Sequence, residues 1–245
     1  MSDTNDQLIL VSGISGTGKS ASLRNIEDQE HWWYFNTEAG KKLPFKNKFK
    51  SYRITDPMQV LEGFDVATND PTCKGIIIDS ITFLMDMFES QYVLNSSNTM
   101  KAWGQYNQYF KALMQDKVIK FNRPVIITAH VQDIIDDTTA EIKTQVPIKG
   151  ALKGQGVEAY FSTVVGCKKV PVKELESFNS TLLEITEEER ELGFKYVFQT
   201  RITKKTLGER IRAPMGLFDK SQTYIDNDCQ KLLNYLINYY GENNE

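Results

Sequence analysis

Residues 13–20 read GISGTGKS and fill every fixed position of the pattern GxxxxGK[ST]. Directly before them runs QLILVS, residues 7–12, an apolar stretch suited to a buried strand, and directly after comes ASLRNI, residues 21–26, which fits a helix. Strand, glycine-rich bend and helix in that order describe a phosphate-binding loop. The glycines tolerate positive φ and let the main chain approach an anion without a Cβ in the way. The loop that would wrap the phosphates comprises Gly13, Ile14, Ser15, Gly16, Thr17, Gly18, Lys19, Ser20 and Ala21. The helix N-terminus would add its partial positive charge. Lys19 would reach the β- and γ-phosphates as a point charge, and the Ser20 hydroxyl would take one position in the octahedral shell of Mg²⁺. The alternative is a glycine-rich turn with no ligand, against which the flanking patterns count.

At 245 residues, 40% hydrophobic and 25% charged, the chain is long enough for one substantial core and short for two, so a single domain over residues 1–245 is expected. No apolar stretch reaches the roughly 20 residues of a membrane span. The opening MSDTNDQ is acidic and polar rather than a basic leader, and a soluble cytoplasmic protein without membrane contact is the expectation. Cys73, Cys167 and Cys229 lie far apart and form no CxxC pair, which fits reduced thiols. With His31 and His130 as the two histidines, a histidine-rich metal site is excluded. The net charge of −3 and pI near 5.6 advertise no nucleic-acid partner, so any such surface must be local.

Strand patterns fall at residues 7–12, 32–36, 51–55, 75–79, 124–129, 162–167 and 195–202, and helical patterns at 57–67, 81–94, 103–121 and 229–240. This alternation predicts an α/β fold with a mainly parallel central sheet and helices on both faces. The acidic stretch 181–191 reads as a surface hairpin or helix.

Three strand ends carry chemistry. GIIIDS, residues 75–80, reads as a fully buried strand that delivers Asp79 beside the phosphate loop, where a carboxylate holds Mg²⁺ through water; Asp79 with Ser80 also fits a helix cap. NTEAG, residues 36–40, follows the strand WWYF and places Glu38 to orient or deprotonate a water attacking the γ-phosphate; a solvated loop glutamate is the alternative. VIITAH, residues 125–130, ends in His130, which suits a γ-phosphate sensor and equally suits a helix cap or a satisfied core histidine.

The order of GISGTGKS, NTEAG, GIIIDSITFL, WGQY at 103–106, VIITAH, IKGALKG at 148–154 and TKKTLGERIRAP at 203–214 resembles phage-encoded RecA-like nucleotide-binding proteins, the single-strand annealing ATPases related to RecA and RadA. The likeness extends over residues 7–240. It implies a RecA-like core, Mg²⁺-dependent ATP hydrolysis, action on single-stranded DNA in recombination, annealing or repair, and assembly as a ring or filament, with a single-strand binding protein as a further partner. It assigns Glu38 as catalytic glutamate and His130 as sensor, and gives Lys204 and Lys205 a reach into a neighbouring subunit's nucleotide, where a cation stabilises charge on the transferred phosphoryl group. Asn36 stands where many relatives carry an acid, and the phosphate loop begins at residue 13, with little chain before it for the polymerisation arm of RecA.

Several surfaces compete for single-stranded DNA, the basic stretch at residues 204–212 among them. KKLPFKNKFKSYR, residues 41–53, interleaves cations with Phe45, Phe49 and Tyr52, as a stacking groove does, and equally fits a solvated loop with core aromatics. The resemblance instead implies the loops at 95–101 and 132–149, with Lys143, Lys149 or Lys153 supplying phosphate contacts beyond the acids Asp133, Asp136, Asp137 and Glu141. A small-molecule P-loop kinase and a nucleotide-switched adaptor without hydrolysis are the other readings.

Overall fold

Ile76, Ile77 and Ile78 are each fully buried, as a strand covered on both faces requires. In the computed structural model, which describes residues 4–135 and 141–242, they form the middle of β4 (Gly75–Asp79). Around it lie β1 (Leu8–Gly13), β2 (Trp32–Asn36), β3 (Lys50–Arg53) and β5 (Val125–His130). Further along the chain come the hairpin of β6 (Gln132–Ile135) and β7 (Ile142–Gln145), then β8 (Thr163–Pro171), β9 (Phe194–Gln199) and β10 (Tyr224–Asp226). The eight-stranded sheet has the order β10-β9-β8-β1-β5-β4-β2-β3. Pairings from β8 to β3 are parallel, while β9 and β10 run antiparallel at one edge. The expected α/β architecture is therefore observed.

Period-two alternation divides the core into two layers. Leu8, Leu10, Ile76, Ile78, Val125 and Ile127 face one cluster, with Phe64, Leu84 and Phe110 from the helices α1 (Met58–Asn69), α2 (Ile81–Phe88) and α3 (Thr99–Ala112). Ile9, Val11, Ile77 and Ile126 face the other, closed by Leu232, Leu233 and Leu236 of the C-terminal helix Cys229–Glu242. Among the described residues, no helix is long and apolar enough to cross a membrane.

Three local expectations change, and a fourth, open between hairpin and helix, is decided. The helix expected over residues 21–26 is a single 3₁₀ turn, Ser20–Leu23, because competing bonds claim its groups. Ser22 Oγ donates to the Lys19 carbonyl (2.5 Å), Asn25 donates to Asp228 (2.6 Å), and the Glu27 amide donates to Gln230 (3.0 Å). Helices α2 and α3 pass into π turns at Glu89–Val93 and Leu113–Lys117 instead of running on as α-helix. The loop expected at 95–101 is shorter, since Thr99 starts α3 and Asn98 caps it by accepting from the Lys101 amide at 3.0 Å. The acidic stretch resolves into a helix, Glu187–Leu192, started by a capping box between Thr186 and Glu189.

Candidate nucleotide-binding site

The glycine-rich bend leaves the C-terminal end of β1. Gly16 and Gly18 have φ of 80° and 93°, the left-handed region that favours glycine. Gly13 is needed for space instead, because a Cβ there would stand 2.7 Å from both the Cys167 carbonyl oxygen and Thr17 Oγ1. With one 3₁₀ turn after the loop, the helix dipole contributes little, and anion attraction falls to the bend's own N–H groups and to Lys19. Lys19 Nζ donates to the carbonyls of Gly13 and Ile14, both at 2.9 Å, and its burial pulls the ammonium below its usual pKa.

Asp79 reaches the loop from β4, although β5 lies between β4 and β1. Ser20 Oγ donates to Asp79 Oδ2 at 2.9 Å and Tyr34 Oη donates to the same oxygen at 2.8 Å, while Thr128 Oγ1 donates to Oδ1. Strand parity explains the cluster, for Tyr34 and Thr128 sit on neighbouring strands and face the same side of the sheet as Asp79. Burial, reinforced by Asp79, raises the Tyr34 phenol well above its usual range, so it remains a donor. Ser80 is the N-cap residue of α2 but makes no side-chain cap bond, and its backbone N–H donates to Thr37 Oγ1 at 2.7 Å.

Glu38 and His130 are brought together. His130 Nε2 lies 3.1 Å from Glu38 Oε1, and Lys41 Nζ donates to Oε2, also at 3.1 Å. The hydrogen bond from His130, followed by that from Lys41, overcomes partial burial and holds the Glu38 carboxyl down at about 2. The imidazole packs edge-on against Phe83, with ring centres 5.5 Å apart. A cavity of about 540 Å³ connects Lys19, Ser20, Asp79, Glu38 and His130, within the roughly 300–1,000 Å³ of small-molecule sites.

Ser20 and Asp79 together offer a hydroxyl and a carboxylate, the hard oxygen donors that suit Mg²⁺. Among the described residues, no cluster of three or more His, Cys, Asp or Glu is placed to hold a metal ion.

Lys204 and Lys205 do not line this cavity. Both are exposed, and Lys205 pairs with Glu174 at 2.9 Å and borders a second cavity behind the bend, of about 500 Å³. Lys143 lies on β7, Lys149 donates to Glu89 at 2.7 Å, and Lys153 is exposed on the short helix Leu152–Gln155. Asp136 and Asp137 lie outside the described residues. In the 41–53 stretch Phe49 is buried, Phe45 packs on the core, and Tyr52 leans on Trp33 at 4.9 Å while staying exposed.

Sequence reasoning missed Tyr34 and Thr128, which strand parity could have found. It also missed Lys41 and Lys42, read as part of a DNA surface yet lining the cavity, and Arg24, Tyr196 and Asn227, for which no sequence signal exists.

A mainly parallel sheet whose central strand ends in this bend, with Lys19, Ser20 and Asp79 around one cavity, defines a P-loop nucleotide-binding domain. The family model described as AAA domain matches residues 5–196, and the chain belongs to that family. Membership points to nucleotide binding and hydrolysis. Comparison with curated proteins gives no match.

Proposed function

We propose that this chain is a RecA-like, Mg²⁺-dependent ATPase that works as an oligomer on single-stranded DNA in recombination, annealing or repair, in the cytoplasm of a phage-infected cell. The observation that carries the hydrolytic part is the placing of ionised Glu38 in one cavity with Lys19, Ser20 and Asp79, bridged to His130. Lys19 binds the β- and γ-phosphoryl oxygens, exchanging its bonds to the Gly13 and Ile14 carbonyls for phosphate oxygens. Ser20 and Asp79 would hold Mg²⁺, which when bound draws negative charge from the phosphoryl oxygens. Tyr34 and Thr128 keep the Asp79 carboxylate oriented. Glu38 accepts a hydrogen bond from the attacking water and takes its proton as the water oxygen bonds to the γ-phosphorus and the bond from that phosphorus to the β–γ bridging oxygen breaks, releasing ADP.

The DNA part is supported by the sequence resemblance and by connectivity. The β6–β7 hairpin follows His130 after one residue, and the Val131 amide donates to the Gly13 carbonyl at 3.3 Å. A shift of His130 toward a γ-phosphate is thus tied to both the phosphate loop and the hairpin. Lys143, Lys149 and Lys153 on or just beyond that hairpin are the proposed phosphate contacts, and Lys204 and Lys205 the cations offered to a neighbour.

The test is ATP hydrolysis with and without single-stranded DNA over a range of salt concentrations. Stimulation that fades steeply as salt rises is expected, because counterion release drives phosphate contacts. Unchanged turnover with DNA at low salt would remove the DNA part. A Glu38→Gln variant that loses nothing would replace the ATPase by a nucleotide-switched adaptor.

A further inference from the structure

We infer that Tyr196 and Asn227 form a nucleoside-binding end of the cavity, with the Tyr196 ring as the face on which the base stacks. This rests on the nucleotide reading above and adds to it the part of the ligand that phosphate chemistry does not address.

Sheet order sets the polarity of the cavity. Glu38, Asp79 and His130 stand at the ends of β2, β4 and β5, on one side of the β1 phosphate loop. Tyr196 stands on β9, two strands to the other side, about 10 Å away at the usual strand spacing. It pairs with Lys169, three residues beyond the Gly166 that lies opposite Ser12, so the β8–β9 hairpin projects past the end of β1 as a wall beside the bend. A γ-phosphate at the Glu38 end leaves the nucleoside at this wall.

The wall has the chemistry for it. Tyr196 is 39% exposed although its neighbours Lys195 and Val197 are buried, and it meets Phe194 edge-on at 5.7 Å, which leaves ring surface toward the cavity. The bend comes close to both residues, since a Cβ on Gly18 would stand in ordinary contact with them, 3.5 Å from Tyr196 Cδ1 and 3.6 Å from both terminal atoms of Asn227. Asn227 is held in place by its own bonds. Its backbone carbonyl accepts from Arg24 at 2.9 Å, and its Nδ2 donates to Cys167 Sγ at 2.9 Å, which turns Oδ1 to accept from a ribose hydroxyl or a base amine. Beside Tyr196 in the cavity lining, the Lys195 ammonium is paired with Glu189 at 2.6 Å and Asp226 at 3.4 Å, so the wall carries an aromatic face next to a neutralised charge. The family match ends at residue 196, and Asn227 lies beyond it.

Calorimetric titration of the full chain with MgATP and, separately, with magnesium tripolyphosphate separates the two ends of the cavity. Tyr196→Leu keeps apolar bulk but removes the stacking face, and should weaken ATP by roughly 5- to 100-fold, the range of base–aromatic stacking. Tripolyphosphate affinity should stay unchanged, which also certifies that the variant is folded, and Tyr196→Phe should retain the ATP affinity. Parallel loss of both ligands, or of neither, would overturn the proposal, as would a wild-type protein that binds ATP no better than tripolyphosphate. A wild type that binds neither ligand points instead to failure of the nucleotide reading itself, and the nucleoside end falls with it.

Discussion

Gly13 has no room for a methyl group, and the atoms in the way include the main-chain carbonyl oxygen of Cys167 on β8. Gly13→Ala should therefore cost roughly 1–3 kcal/mol, as overpacking of a tight site does. Thermal unfolding should show a Tm lower by about 2–4 °C for each of those kcal/mol in a chain of this size. An unchanged Tm would mean that β1 and β8 separate easily, and the bend would then not be the rigid cradle its packing implies. Glu38 gives a second prediction, in pH. Its carboxyl lies near 2 against an ordinary 4.5, so its stabilising bonds are complete above the ordinary value and are lost as pH falls toward 2. His130→Ala removes the largest cause of that depression. The acid limb of turnover, and the onset of acid destabilisation, should then move to higher pH, with activity down by about 10²-fold or more for the misplaced base. A pH–rate profile that drops in height without moving would show that His130 positions Glu38 but does not tune it.

The C-terminal helix and the residue before it support the turn that follows the phosphate loop, through the Ser22–Cys229 contact at 3.1 Å and the Asn25–Asp228 bond. Leu236 is fully buried on its inner face, so Leu236→Ala should cost roughly 2–5 kcal/mol in a denaturant titration. A loss near zero would mean that the helix is not part of the cooperative fold. The same helix shows where sequence reading runs out. Strands β1, β4 and β5 were legible because burial on both faces demands unbroken apolar runs, and Asp79 and His130 were legible because they end such runs. The turn after Ser20 was not, since its hydrogen bonds go to residues more than 200 positions away. Hairpin β6–β7 and strand β10 are too short and too polar to carry a period, and Tyr196 and Asn227 become site residues only when the returning chain sets them beside Gly18.

Assembly is where Lys204 and Lys205 gain or lose their role. In a single chain they stand outside the nucleotide cavity, and the exposed Lys205–Glu174 pair is of the kind worth little net stability, so a neighbour's triphosphate could draw the ammonium away at small cost. If they act in trans, the double variant Lys204→Ala, Lys205→Ala should bind MgATP normally and turn it over at least 10³-fold more slowly, as when a phosphoryl-transfer finger is withdrawn. Glu38→Gln should be equally inactive for a different reason, having lost its base while keeping its lysines. Mixing the two inactive proteins then decides the matter. In head-to-tail contacts formed at random from equal amounts, about a quarter place the intact Glu38 of one variant against the intact lysines of the other, and hydrolysis should return at those contacts. The recovered rate should rise with total protein concentration and with single-stranded DNA, because both favour assembly. A mixture as inactive as its components, under conditions where sedimentation shows mixed oligomers, would confine these lysines to the surface of their own chain.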